Sequence, residues 1–551
     1  MAQSATAQSA TAQSATAQSW DLQADVVVVG FGAAGACAAL EAAAAGARVI
    51  VIDRFSGGGS TALSGGVVYA GGGTRQQLEA GVRDTPEAMF GYLRQEVGDA
   101  VSAATLRDFC DGSAEMLAWL AGQGVRFEGS LCPDKTSYPS NRYYLYYSGS
   151  ELSFAAAAPP APRGHRAVGR GTSGRVLFAA LAAAVRAAGI TVLPQTTAAE
   201  LVTGADGQVT GVTCRSLRAG PAWARIAHRA GHRLGAKAFL YGGAPGRRLH
   251  APVAWLERGY ARPLRIGART GVVLAAGGFV ANRAMLREHA PAYRGGLPLG
   301  TVADDGSGIR LGTGAGGATR LLDRVSCWRF ITPPVALLRG VLVDQAGRRV
   351  CDESRYGAAI GEAMVREHDR RAWLVADRDL VSRAWRQLAG RTQWFQLVQA
   401  VYLLTRARVS GPTLAAAAAR AGLDGNGVTA TVAAYNAAVR EGRPDPAGKP
   451  ADATAVIGRP PYSLIDLSIR PRAAYPAPML TLGGLAVSEQ TGQVLRADGS
   501  AVPGLYAAGR SAVGLCSNSY VSGLSLADCV YSGRRAGRTA AVRGTTAGHQ
   551  N

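Results

Sequence analysis

The strongest constraint on the chain is a short run near its N-terminus, Asp25-Val-Val-Val-Val-Gly30-Phe-Gly32-Ala-Ala-Gly35. An apolar run of this length ending in glycine reads as a buried parallel strand, and the alanine-rich stretch 33–45 behind it reads as a helix. A second apolar run, Arg48-Val-Ile-Val-Ile-Asp53, follows and ends in an acid. Strand, glycine loop, helix, strand and acid is the order of a dinucleotide-binding unit. Gly30 permits the tight turn, Gly32 lets backbone approach a diphosphate, and Gly35 lets helix and strand pack closely. The helix N-terminus offers free N–H groups and partial positive charge to the diphosphate. Asp53 stands where an acid accepts hydrogen bonds from a ribose. A GxGxxG alone is a weak signal; the flanking elements make it specific here.

The unit does not close locally. Its closing strand, Gly504-Leu-Tyr-Ala-Ala-Gly509, comes far downstream. That split suits a long dinucleotide, FAD rather than NAD, with the glycine/serine-rich loop 56–73 lining its diphosphate and flavin. The expected architecture is α/β: a discontinuous Rossmann-type FAD-binding domain with an inserted α+β substrate and capping domain. The expected division is a repeat tail over 1–20, a first FAD-binding part over 21–300 with a basic insert at 215–269, a substrate domain over 301–460, a return over 461–541 and a flexible tail over 542–551. Helices are expected over 84–125, 174–188, 357–370, 378–406, 412–441 and 524–541, and a strand over 270–276.

Composition narrows the setting. A hydrophobic share of 48% and a charged share of 18% describe a globular chain with a sizeable core. The net charge of +21 has no recognition-helix or RNP-like motif beside it, so nucleic acid is not an expected partner. The eight cysteines form no CxxC and no Cys/His cluster, which points to a reducing, cytoplasmic setting with no metal site. Residues 1–19 repeat Ala-Gln-Ser-Ala-Thr from Ala2, too polar to order or to act as a secretory signal. The stretch 224–269 is dense in Arg, His and Lys, with Glu257 its only acid, and interleaves Leu234, Phe239, Trp255 and Tyr260. Such a segment suits peripheral contact with an anionic membrane, beside the plainer reading of a solvated basic surface.

Several ordered motifs carry a resemblance: DVVVVGFGAAGACAAL, STALSGGVVYAGGGT, GVVLAAGGF, DDGSGI, GRRVCDE and GLYAAGR. From about residue 22 to 540 the chain resembles the flavoproteins of fumarate reductase, succinate dehydrogenase and the ketosteroid dehydrogenases. Within them SYPSNRYYLYYSGSE, PRGHR and SNSYVSGLSLAD most resemble the FAD-dependent 3-ketosteroid Δ4-(5α)-dehydrogenase group. The resemblance implies FAD contacts at Gly30, Gly32, Ala34, Gly35, Asp53, Arg54, Ser60, Thr61, Ser64, Gly65, Gly66, Ala276, Gly277, Gly509, Ser525 and Leu526. Covalently flavinylated relatives carry a His in the stretch matching 60–64; none is present, so the FAD is expected to be non-covalent. Many relatives place an acid where Arg510 stands, and that contact does not carry over.

The resemblance further implies desaturation of a steroid-like apolar ketone, with electrons passed to an acceptor that the sequence does not identify. Such chemistry needs a donor on the carbonyl, a base for the adjacent C–H and a hydride acceptor held close to the next carbon. Tyr520 and Ser522, two apart and so on one face of an extended segment, are assigned to the ketone with Gly523. Tyr356 is assigned to proton transfer, on the expectation that surroundings lower a phenol pKa, and Tyr147 to the substrate wall. Buried packing for both tyrosines and a helix-start hydroxyl for Ser522 remain open alternatives. His165 is expected to be structural. The rivals are Δ1-type desaturation or desaturation of another polycyclic ketone, an electron carrier without a substrate site, and fumarate-type chemistry, for which Arg349 and Arg355 are the available cations.

Overall fold

The computed structural model describes residues 19–242, 244–293, 296–388 and 393–542. Of the expected tails over 1–20 and 542–551, residues 1–18 and 543–551 lie outside the described residues. Strand β1 (Leu22–Val29) buries both faces over its C-terminal half, as its unbroken valines require. It runs into helix α1 (Ala33–Ala44) and then strand β2 (Val49–Asp53), which pairs parallel with it.

A small three-stranded sheet follows, of β3 (Val67–Tyr69), β4 (Leu145–Tyr146) and β5 (Gly164–Arg166), with β5 in the middle. Between β3 and β4 the single helix expected over 84–125 is three helices, Pro86–Val97, Ala103–Asp111 and Ser113–Gly122. The first ends at Gly98 in positive φ, and Ser102 caps the second. Helix α2 (Gly174–Ala187) then leads to β6 (Thr191–Pro194), β7 (Thr196–Thr203) and β8 (Val209–Ser216).

The basic insert folds as helix α3 (Ala222–Gly242) and two shorter helices, Ala244–Leu249 and Ala251–Tyr260. It closes earlier than 269. Strand β9 begins at Arg262 and runs to Leu274, not from Thr270 as expected. Its first half pairs antiparallel with β8 and its second half parallel with β1, so one long strand satisfies two edges.

The domain expected from 301 takes shape later. Helix Ser307–Gly314 still belongs to the first body, where Ile309 packs with Val272 and Leu485. The second body contains β10 (Val341–Val343), α4 (Gly357–Glu367), β11 (Trp373–Ala376), α5 (Arg378–Gln387), α6 (Trp394–Leu404), β12 (Arg408–Gly411) and β13 (Tyr462–Asp466). These strands form one antiparallel sheet in the order β10-β11-β13-β12, so β13 lies beyond the expected return at 461. The helix expected over 378–406 is two, because a Gln393–Gln396 capping box starts α6 afresh. The helix expected over 412–441 breaks at Gly422, which takes the left-handed conformation of a C-cap.

The chain returns through β14 (Gln493–Leu495), β15 (Ala501–Ala507) and α7 (Leu524–Val542). The main sheet then reads β14-β15-β9-β1-β2-β6, with β15, β9, β1, β2 and β6 parallel. The loops after β1, β9 and β15 therefore leave the same edge of the sheet, where open α/β sheets bind their ligands.

Candidate active site

The glycine loop after β1 has the geometry its sequence promised. Gly30 sits at φ +104°, and a Cβ there would lie 2.5 Å from the Ala275 carbonyl oxygen of the neighbouring strand. A Cβ on Gly35 would collide with the Gly30 carbonyl, so α1 seats tightly on β1. The Asp53 carboxylate accepts hydrogen bonds from the backbone N–H groups of Phe31 (3.0 Å), Phe55 (2.8 Å) and Gly57 (3.1 Å). It braces two loops at the end of β2. Thr61 Oγ1 accepts the first N–H of α1, from Ala33, at 3.0 Å. Ser64 closes its own turn, donating to the Thr61 carbonyl and accepting from Gly66 N–H. Gly65 uses its carbonyl on the Tyr138 hydroxyl at 2.8 Å.

Arg54 is held by two acids. Its guanidinium pairs with Glu257 at 2.8 Å and Asp305 at 3.3 Å. Glu257 also meets His228 at 3.0 Å, and the Phe55 ring stacks on His232 with centroids 3.7 Å apart. These contacts fasten the basic insert to the end of β2. Arg54 and Glu257 are 203 residues apart, and no local pattern announces their meeting.

Arg510, which replaces the acid of many relatives, is half-buried and pairs with Asp304 at 2.6 Å. The other Asp304 oxygen accepts the Ser60 hydroxyl at 2.5 Å. One terminal nitrogen of Arg510, Nη1, is buried and has no hydrogen-bond partner in the protein. A buried guanidinium N–H calls for an oxygen acceptor, and the ribityl and diphosphate oxygens of FAD are such acceptors. A Cβ on Gly277 or Gly278, behind β9, would lie 3.8 Å or 3.4 Å from the same guanidinium. Ser525 and Leu526 lie in the first turn of α7, whose N–H groups lack intrahelical acceptors. The residues at this edge fit FAD.

Beside it lies an aromatic site drawn from three parts of the chain. Tyr356, the N-cap of α4, is buried and donates its backbone N–H to Ser150 Oγ at 3.0 Å. Its ring stands 6.2 Å from that of Tyr520 at an interplanar angle of 29° and 5.5 Å from Phe330. Trp328 covers Tyr520 at 4.8 Å. Ser522 Oγ lies 3.3 Å from the Tyr146 hydroxyl, and its carbonyl accepts Ser148 Oγ–H at 2.9 Å. Gly523 sits at φ +92°, and its carbonyl accepts the Tyr69 N–H at 3.1 Å. The structure thus brings Tyr356, Tyr520, Ser522 and Gly523 together. It places Tyr146, not Tyr147, against Ser522. Adjacent residues of a strand face opposite ways, and Tyr147, just past β4, is only half-buried.

The protonation states correct one expectation. Burial pushes the phenols of Tyr356, Tyr520 and Tyr146 upward, not downward. The Ser522 hydroxyl pulls Tyr356 and Tyr146 back in part, and the charge of Arg510 does so for Tyr520. At neutral pH all three are proton donors. Glu151, the last residue of the aromatic segment, was missed: it is buried, accepts the Tyr69 hydroxyl at 3.2 Å, and burial raises its pKa against the pull of Lys135. Its charge bears on Tyr356.

Other candidates are scaffolding. His165 is fully buried, with Nε2 2.8 Å from Thr74 Oγ1 and Nδ1 3.0 Å from the Arg163 carbonyl. Arg166 holds the aromatic loop through the carbonyls of Pro139 and Ser140 and the side chain of Asn141. Arg349, a cation required by fumarate-type chemistry, is committed to Glu353 at 2.7 Å and Asp445 at 3.1 Å. Arg355 is half-buried with its guanidinium 5.6 Å from the Phe154 ring.

The profile of the "FAD binding domain" family matches residues 25–524. A 3-oxo-5-alpha-steroid 4-dehydrogenase of Comamonas testosteroni is 38% identical over 89% of this chain and 93% of its own length. A 3-oxosteroid 1-dehydrogenase of Mycobacterium tuberculosis (strain ATCC 25618 / H37Rv) is 28% identical over 90% of this chain and 94% of its own. Among solved structures, a 3-ketosteroid-delta4-(5alpha)-dehydrogenase of Rhodococcus jostii RHA1, in complex with 4-androstene-3,17-dione, superposes with a TM-score of 0.80 at 31% identity, covering 96% of this chain and 99% of that one. The chain therefore belongs to the FAD binding domain family of flavoproteins, among its ketosteroid dehydrogenases, and its cofactor is FAD.

Proposed function

We propose that the protein desaturates a 3-ketosteroid between C4 and C5: a proton leaves C4, next to the ketone, and a hydride leaves C5. The observation that carries this is the convergence of Tyr356, Tyr520, Ser522 and Tyr146 in one aromatic site beside the dinucleotide edge. FAD, when bound, supplies the hydride acceptor. Tyr520, a neutral donor, polarises the ketone together with the backbone at Gly523, which acidifies C4–H. Tyr356 receives the C4 proton in the fraction of molecules whose phenol has first lost its own proton to solvent, and the Ser522 hydroxyl beside it favours that phenolate. Trp328 and Phe330 wall the apolar ring system. The second body acts as the cap that carries Tyr356. The names of the Comamonas and Rhodococcus proteins support the reading, and the commitment of Arg349 to Glu353 and Asp445 counts against a small dicarboxylate.

The test is anaerobic mixing with 5α- and 5β-3-ketosteroids and with succinate, following the visible flavin absorption and identifying products by mass and NMR. Bleaching by a saturated 3-ketosteroid with a new C4–C5 double bond is expected. A C1–C2 double bond, or bleaching by succinate alone, would overturn it.

The finer setting belongs to the same reading. No described helix is long and apolar enough to cross a membrane. The insert holds Phe55 on its inner side and exposes Trp223, Ile226, Leu234 and Trp255 among its arginines, which supports peripheral membrane contact through 224–269. The eight cysteines are all free thiols, which suits the cytoplasm. Flotation with anionic vesicles at low salt tests the contact; a protein that stays at the bottom of the gradient refutes it.

A further inference from the structure

Helix α6 carries a second, unrelated apolar surface. Trp394, Leu397, Val398 and Val401 recur at helical spacing on one face and are 67%, 40%, 50% and 38% exposed. The opposite face, with Ala400, Leu403 and Leu404, is already buried in the second body's core. The exposed face is therefore surplus to folding, and a contiguous apolar stripe of this kind marks an interaction site.

Its place is not arbitrary. Gln396 Nε2 donates to Ser137 Oγ at 3.1 Å and to the Tyr138 carbonyl at 3.2 Å, and Gln393 Nε2 donates to the Pro139 carbonyl at 3.2 Å. The inner edge of α6 thus holds the start of the aromatic loop whose far end, Tyr146, touches Ser522. The apolar stripe and the aromatic site share one wall.

Charge decides the occupant. Between Asp379 and Asp424 the sequence has six arginines and no acid. Arg383 and Arg386 on α5 and Arg406 behind α6 are exposed. A second copy docked about a two-fold axis would bring two copies of this arginine-rich, acid-free segment together. An anionic bilayer offers the complement: acyl chains for Trp394 and Val398, phosphates for the arginines. We propose that the α6 face is a docking surface for an anionic membrane, from which an apolar ketone dissolved in the bilayer reaches the aromatic loop. The route rests on the proposed steroid substrate; the docking does not.

The test uses the full-length FAD-loaded protein, without steroid, and phosphatidylcholine vesicles with and without phosphatidylglycerol. Binding that needs phosphatidylglycerol is expected. The double variant Trp394→Ser/Val398→Ser should bind at least about tenfold more weakly, with unchanged bound FAD, unchanged elution volume and unchanged turnover of a steroid supplied in cyclodextrin. Should that variant fold poorly, Trp394→Phe serves: brominated lipid should quench less of its tryptophan emission than of the wild type's. Absence of binding, equal binding by the double variant, or equal quenching of Trp394→Phe would overturn the proposal. A lower oligomeric mass in the double variant would overturn it in favour of a second copy. Loss of steroid turnover in the wild type would leave the docking standing and sink the proposed function.

Discussion

The Tyr146 hydroxyl lies 3.3 Å from Ser522 Oγ, although 376 residues separate them in the chain. The Ser522 hydroxyl also lowers the phenol pKa of Tyr356 against burial. Ser522, on the return segment, therefore bears on a phenol of the second body and on one of the small sheet. Ser522→Ala should lower kcat by about 10–100-fold, since it removes the group that steadies negative charge on Tyr356. The basic pKa of the kcat profile should rise, because the pull that Ser522 exerts against burial is gone. Tyr146→Phe should cost about tenfold in kcat, with KM and bound FAD little changed. Steady-state kinetics across pH check both; variants at wild-type rates would remove both hydroxyls from the mechanism.

Tyr356 and Tyr520 face each other with their rings 6.2 Å apart, and burial holds both phenols protonated. Their substitutions should separate their roles. Tyr356→Phe should reduce kcat by about 10²–10⁴-fold while a steroid ligand still binds, since proton removal alone is lost. Tyr520→Phe should reduce kcat by about 10²–10³-fold and also weaken ketone binding, since a donor to the carbonyl is lost. Spectral titration with a product steroid reads the binding. Weakened binding in Tyr356→Phe but not in Tyr520→Phe would exchange the two assignments.

What the sequence made legible was whatever a few adjacent residues decide. Gly30, Gly35 and Asp53 act within one strand–loop–helix unit, and each has the backbone contact its type requires. Tyr520 and Ser522 lie two apart in a segment that forms no strand, and their nearness to Tyr356 comes from the turn before α7 rather than from the expected strand alternation. The contact of Tyr146 with Ser522 was not legible, because β4 is two residues long, too short for a pattern of alternation to set its parity. The pairs Arg54–Glu257 and Arg510–Asp304 join residues 203 and 206 apart, and charge alone does not choose among many distant acids. The split of the helix expected over 412–441 was within reach, since Gly422 is a recognisable C-cap signal.

His165 should govern part of the acid sensitivity of the fold. Burial pushes its pKa down from 6.5 to about 4, against the weaker opposite pull of the Arg163 carbonyl that Nδ1 meets at 3.0 Å. Between those values the unfolded chain binds a proton that the folded protein refuses. Stability linked to this residue is therefore complete above pH 6.5 and is lost as pH falls toward 4. The loss is about 3 kcal/mol at its fullest. Asp528, raised by burial to about 6, acts in the opposite sense, so only a difference between proteins isolates His165. Urea denaturation of wild type and His165→Gln should show the stability gap between them narrowing as pH falls through this window. A constant gap would mean that the ring is not held neutral.

Arg510 supplies the last test. Its pairing with Asp304, itself held by Ser60, leaves one buried donor without a protein acceptor at the edge where the dinucleotide loops meet. A charged hydrogen bond to a cofactor oxygen at such a position contributes about 1.5–3 kcal/mol. Arg510→Met should then weaken FAD binding by about 10–100-fold, measured by quenching of flavin fluorescence on titration of apoprotein. Circular dichroism should show the fold retained. Asp304→Asn should have a smaller effect, because it loosens the guanidinium without removing the donor. Denaturing the wild-type protein should release all its flavin into solution, since residues 60–64 offer no histidine for a covalent bond. Equal FAD affinity in wild type and Arg510→Met would show that the orphaned donor faces something other than the cofactor, and that Arg510 serves only to anchor Asp304.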